Sequence, residues 1–209
     1  MITEYETIAA PVDAEIEISR SRFLARLERV PDEAAARDAI ARARAEHPRA
    51  RHHCSAFVLG ADGRVQRSND DGEPSGTAGA PMLDALVSAG LSDVVAVVTR
   101  YFGGVLLGAG GLTRAYRASV AEAVLRAERL RRGLRHEVTV VSAYDTAPVI
   151  EAEARRLGFG IGPADYGDRV AQRFAVAETE VERLAALAAE ASAGSAEVVV
   201  GEAAYVDLP

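Results

Sequence analysis

SDVVAVVTRYFGGVLLGAGGLTRAYR, residues 92–117, reads in one pass as strand, glycine loop and helix. Val94 to Thr99 is apolar and mostly β-branched, the pattern of a strand covered on both faces. Arg100, Tyr101 and Phe102 follow, and then five glycines in nine residues: Gly103, Gly104, Gly108, Gly110 and Gly111. Such a density lets the backbone approach another group closely or take φ > 0 without steric cost. From Leu112 the spacing turns helical, with Leu112, Tyr116, Val120, Ala123 and Ala127 in one stripe and Arg114 and Arg117 off it. A helix that starts behind glycines offers free N–H groups to an anion. Arg100, Tyr101, the five glycines, Arg114 and Arg117 are therefore the candidate anion- or RNA-binding residues.

The loop matches neither common nucleotide fingerprint. G-x-G-x-x-G lacks its last glycine, and Walker A fails because the chain has no lysine: all 24 basic residues are arginine. The same lack excludes a Schiff-base lysine. A second reading stays open, in which the glycines only allow helix to pack closely on strand.

The net charge of −7 argues against indiscriminate nucleic-acid binding, but the charge is uneven. Residues 1–99 carry −5, residues 100–135 carry +6 and residues 136–209 carry −8. A basic island in an acidic chain implies a local anion site or, more plainly, a solvated helix face. No apolar run approaches the roughly 18 residues of a membrane span, and the first residues lack signal-peptide character, so a cytoplasmic protein without membrane contact is expected. The single cysteine, Cys54, suits a reducing compartment.

Outward from the opening segment, alternation over residues 14–19 and 22–30 predicts a hairpin. Asp32 caps a helix running to about Glu46, and residues 51–60 and 64–68 form a second hairpin across Ala61-Asp62-Gly63. The polar loop NDDGEPSGTAG, residues 69–79, precedes a helix from Ala80 or Pro81 to Ser88. Its Asp70, Asp71, Glu73, Ser75 and Thr77, with His52 nearby, are the candidate polar neighbours of the site. Paired carboxylates there suit acid–base work or Mg²⁺, although turn-forming aspartates are commoner. His52 and Cys54 share a strand face, but no second ligand pair accompanies them, so neither a metal nor any cofactor is expected, and no catalytic residue is assigned.

Gly133 marks the expected boundary between domains 1–133 and 134–209. Beyond it the order is strand 137–143, helix 147–157, strand 159–166, strand 170–177, helix 178–191 and strand 197–206, with Glu178 or Thr179 capping the last helix. This βαββαβ order predicts a ferredoxin-like sandwich, and the whole chain is α+β.

Taken together these residues resemble the IMPACT family, in its two-domain bacterial members of the YigZ type. The carriers are Gly79-x-x-Met82-Leu83, Leu86, Leu91, Val97-Val98-x-Arg100-Tyr101-Phe102-Gly103-Gly104-x-x-Leu107-Gly108 and Gly110-Gly111-Leu112-x-Arg114-Ala115-Tyr116, with His52-x-Cys54 and residues 68–79 upstream. His53 departs from the asparagine more usual there. The resemblance implies an N-terminal fold like the second domain of ribosomal protein S5 and a ferredoxin-like C-terminal domain, together similar to the last two domains of elongation factor G. It implies a non-enzymatic, translation-associated binding protein with RNA or the ribosome as partner. An S5-like fold also serves small-molecule kinases that hold ATP phosphates on a glycine loop, so a nucleotide-binding enzyme is the alternative. A protein–protein adaptor acting through the acidic C-terminal domain is a third.

Overall fold

A computed structural model describes residues 2–208, which divide into two units, one ending at Arg131 and one running from Arg132 to Leu208. The first holds strands β1 (Glu4–Ile8), β2 (Val12–Ile18), β3 (Ser21–Arg29), β4 (His52–Leu59), β5 (Val65–Asn69) and β6 (Val94–Tyr101), and helices α1 (Glu33–Glu46), α2 (Gly79–Ser88) and α3 (Gly108–Arg126). Five of these strands form one antiparallel sheet in the order β2-β3-β6-β4-β5.

The centre of that sheet is β6, and its alternation decides the layers. Val94, Ala96 and Val98 point into one core with Phe23, Leu27, Cys54, Met82, Leu86, Leu112, Tyr116 and Val120, beneath α2 and α3. Val95 and Val97 point the other way, into a second core with Ala36, Ala39, Ala43 and Phe57 under α1. A strand covered on both sides has no solvent face to mark with polar residues, which is why its sequence is continuously apolar. Asp32 caps α1 as expected, its carboxylate accepting from the Ala35 amide at 2.8 Å.

The second unit contains β7 (Arg129–Ser142, whose first residues belong to the first unit), α4 (Ala147–Arg156), β8 (Gly160–Tyr166), β9 (Val170–Val176), α5 (Val181–Ala191) and β10 (Glu197–Asp207). Its strands pair antiparallel in the order β10-β7-β9-β8. Val138, Val140, Phe174 and Val176 from the sheet share a core with Ile150, Ala154, Leu184 and Ala188 from α4 and α5.

Three expectations need correction. The third helix begins at Gly108, a full turn before Leu112, and ends at Arg126, so Ala127 of the expected stripe lies just past it in extended conformation. The strand expected from residue 137 starts eight positions earlier, at Arg129, and its 14 residues take in Gly133, which is buried. Neither Glu178 nor Thr179 caps α5, because residues 178–180 wind into a 3₁₀ turn before it and no side-chain cap forms.

Candidate functional site

Sheet register sets a polar row at the end of the apolar ladder. Arg100 on β6 pairs with Phe23 on β3 and with His52 on β4, so these three side chains share the face that α3 covers. Arg100 is buried; its Nη1 donates to Glu73 Oε1 at 2.7 Å and its Nη2 to Ser21 Oγ at 3.4 Å. The guanidinium lies between the Phe23 ring at 5.4 Å and the Phe102 ring at 5.6 Å. Tyr116 of α3 packs edge-on against Phe23 and donates its hydroxyl to the same Glu73 oxygen at 2.7 Å. Burial pushes the Tyr116 hydroxyl well above the ordinary tyrosine range, so it stays a donor.

Glu73 reaches this place because the polar loop is a folded object. The Asp70 carboxylate accepts from the amides of Gly76, Ala78 and Gly79 at 2.8 to 3.0 Å, which closes the loop and starts α2. Burial raises the Asp70 carboxyl, but the three amides outweigh it and hold the group below its usual value. Asp71, at φ 44°, accepts from the His53 amide at 2.6 Å and pairs with Arg44. Its carbonyl faces His52 Nδ1 at 2.8 Å. Cys54 donates its thiol to the Asp70 carbonyl, and burial pushes that thiol up to about 12. Thr77 is buried with its hydroxyl on the Pro74 carbonyl, while Ser75 is exposed. The paired aspartates thus hold backbone amides, and Asp71 also Arg44, in the manner of turn-forming aspartates. Among the described residues no three His, Cys, Asp or Glu side chains gather as a metal site.

Between this loop and the start of α3 lies a cavity of about 380 Å³. Glu73, Arg100, His52 and Arg51 supply its polar lining; Pro74, Phe102, Leu106, Leu107 and Leu112 supply apolar walls, and Gly108 and Ala109 bring the helix start to it. No side chain caps α3 and no acidic residue stands in its first turn. Leu106 is 88% exposed at the rim.

The candidate residues are only partly brought together. Arg100, His52, Glu73 and Gly108 line the cavity. Arg114 is exposed, and its Nη1 lies 3.5 Å from where a Cβ on Gly110 would stand, so the side chain folds back along the first turn. Arg117 is drawn off to α2, near Asp84 and Ser88 at 3.5 and 3.4 Å. Tyr101 points to the opposite sheet face, where its hydroxyl meets His47 Nδ1 at 3.1 Å. The glycines divide as well. A Cβ on Gly103 would fall 2.0 Å from the Arg20 carbonyl carbon, and its amide donates to Ser21 Oγ, so this residue serves backbone packing. Gly104 and Gly108 have φ of 84° and 66° in open space, and Gly111 makes room for Leu107. Three guanidiniums expected around one anion therefore occupy three settings, because two of them find carboxylates first.

Ion pairing dissolves much of the basic island. Arg100, Arg117, Arg126, Arg129 and Arg132 each face a carboxylate, namely Glu73, Asp84, Glu122, Glu6 and Asp207. Arg51, Phe102, Leu106 and Leu107 were missed at the sequence level. The apolar Phe-Gly-Gly-Val-Leu-Leu run set among polar and glycine residues was the available signal for the last three; Arg51, ahead of β4, had none.

The Impact N-terminal domain matches residues 19–124. Over 207 residues the chain is 39% identical to the IMPACT family member YvyE of Bacillus subtilis, covering 99% of this chain and 95% of that one. It is 40% identical over 196 residues to the IMPACT family member YigZ of Escherichia coli, covering 93% and 96%. A solved structure described as a hypothetical protein is 38% identical, with a TM-score of 0.67 over 97% of this chain and 99% of the other.

Proposed function

Because the chain belongs to the IMPACT family, we propose that it is a non-enzymatic, translation-associated binding protein of the cytoplasm that takes RNA, free or within the ribosome, at the start of α3. In this reading the first unit is the S5-like module and the second the ferredoxin-like one. The antiparallel order β10-β7-β9-β8, with α4 and α5 on one core, supports the latter.

The observation that carries the proposal is the placing of charge at the α3 start. Arg114 folds toward the positive end of its own helix, where a cation is disfavoured by about 0.3–1 kcal/mol, and it has no ion pair among the described residues. Arg51 lines the adjoining cavity and is likewise without an acidic partner among them. A phosphate at this point relieves both and accepts from the uncapped amides. The phosphate contacts at the helix start carry no base information, so their share of the affinity is electrostatic.

The test is a salt titration of single-stranded RNA and of ribosomes against the purified protein. Arg51→Ala and Arg114→Ala each weaken binding and each take about 0.7 off the log–log salt slope, while Arg117→Ala leaves it unchanged. No binding at low salt, or slopes unmoved by both substitutions, overturns the proposal.

A further inference from the structure

We infer that the cavity beside α3 receives one unpaired nucleotide, base inward, and favours bases that carry an exocyclic amino group. This rests on the reading of that region as an RNA site and names what enters it. At the cavity floor the Glu73 side chain is only 4% exposed and uses a single oxygen, Oε1, for both Arg100 and Tyr116. Oε2 has no hydrogen bond among the described residues. It is also not sealed away, since the sealed and unpartnered side-chain atoms are His53 Nε2 and Arg100 Nε. Oε2 therefore opens on the cavity that Glu73 lines. On the wall, His52 Nδ1 faces the Asp71 carbonyl at 2.8 Å. A carbonyl only accepts, so the His52 Nδ1 carries a hydrogen and is already engaged with the loop.

Oε2 calls for a guest with an N–H or O–H donor at its inner end, and an acceptor left unmet in such a place costs affinity. The walls between are apolar, with the half-exposed Phe102 ring among them, which suits a flat body able to stack. At the mouth, Arg51 and the α3 amides call for negative charge. Donors inside, a flat middle and an anion outside describe a nucleotide. A volume of about 380 Å³ suits one base with its sugar and not a base pair. Adenine, cytosine and guanine bring an amino group to Oε2, as a glutamate accepts from the cytosine amino group in a groove; uracil sets a carbonyl oxygen against it. The guest comes either as a free nucleotide or as an unstacked residue of a single strand, and the two share this chemistry.

Calorimetry of the full chain with AMP, CMP, GMP and UMP, and with octamers of A, C and U, tests the inference. The expected result is a preference of about tenfold for the amino-bearing bases over uracil. A preference confined to the octamers identifies the strand as the source, and one confined to mononucleotides the free ligand; both sustain the inference. Glu73→Gln keeps an acceptor for Arg100 and Tyr116 but offers an N–H inward, so it shifts the preference toward UMP. Leu106→Asp at the exposed rim leaves the fold intact, sets a negative charge at the mouth and weakens every nucleotide about tenfold. Equal affinity for all four bases with RNA binding retained overturns this inference and spares the broader one. Loss of all nucleotide and RNA binding overturns both.

Discussion

Asp70 shows how a residue that looks catalytic is used structurally. Three amides converge on its carboxylate, and removing the charge in Asp70→Asn leaves them competing for one neutral oxygen; an unfolding midpoint shift corresponding to about 2 kcal/mol is expected in urea. Its folded value lies below the ordinary aspartate range, so its contribution is complete above about pH 4 and is lost as the pH falls through the lowered folded value. Stability followed down to pH 2 therefore drops more steeply for the parent than for Asp70→Asn. At the other end of the loop, Arg100→Ala strands the Glu73 carboxylate in a buried site at a cost of about 3–5 kcal/mol, read by chemical denaturation. Cys54, with its thiol pushed up to about 12, is a packing residue: a disulfide reagent at pH 8 leaves the native protein unmodified and reacts with one thiol once urea unfolds it.

At the scale of elements, the glycine loop is two structures in succession. Gly103 seats the end of β6 against the Arg20–Ser21 turn of the β2–β3 hairpin, with no space for a methyl group. Gly104 needs only its positive φ and faces open space. Gly103→Ala is expected to cost at least about 3 kcal/mol through backbone displacement, and Gly104→Ala about 1–2 kcal/mol through conformation alone. Thermal denaturation of the two variants side by side separates these origins, and equal losses contradict the assignment. The early start of α3 follows from the same residues: glycines permit a helical turn that propensity disfavours, and packing of Leu107 on Gly111 supplies what propensity withholds.

For the molecule as a whole, arginine is the only cation besides histidine, and most of it is spent locally. Exposed pairs such as Arg126–Glu122 and Arg155–Glu151 each contribute well under about 1 kcal/mol and are screened by salt. Raising the salt from 0.1 to 1 M is thus expected to change folding stability by less than about 1 kcal/mol, while RNA affinity falls steeply over the same range. With most of the arginines paired in an acidic chain, the α3 start is a local feature and not one end of a basic face. Among the described residues no helix is long and apolar enough to cross a membrane. Each unit carries its own core, so the chain holds separate reservoirs of stability.

The sequence alone determined the order of nearly every element, the two-sided burial of β6, the Asp32 cap and the stripe of α3, because periodicity and capping act between residues close in the chain. Only the tertiary structure decided what each polar group of the candidate site does. Whether Arg100 holds a ligand or Glu73, whether Asp70 works on a proton or on three amides, and whether Arg117 reaches α3's start or α2 depend on partners tens of residues away. Those partners are chosen by sheet register and by the cost of leaving a buried charge or acceptor unmet, and neither is written in local spacing.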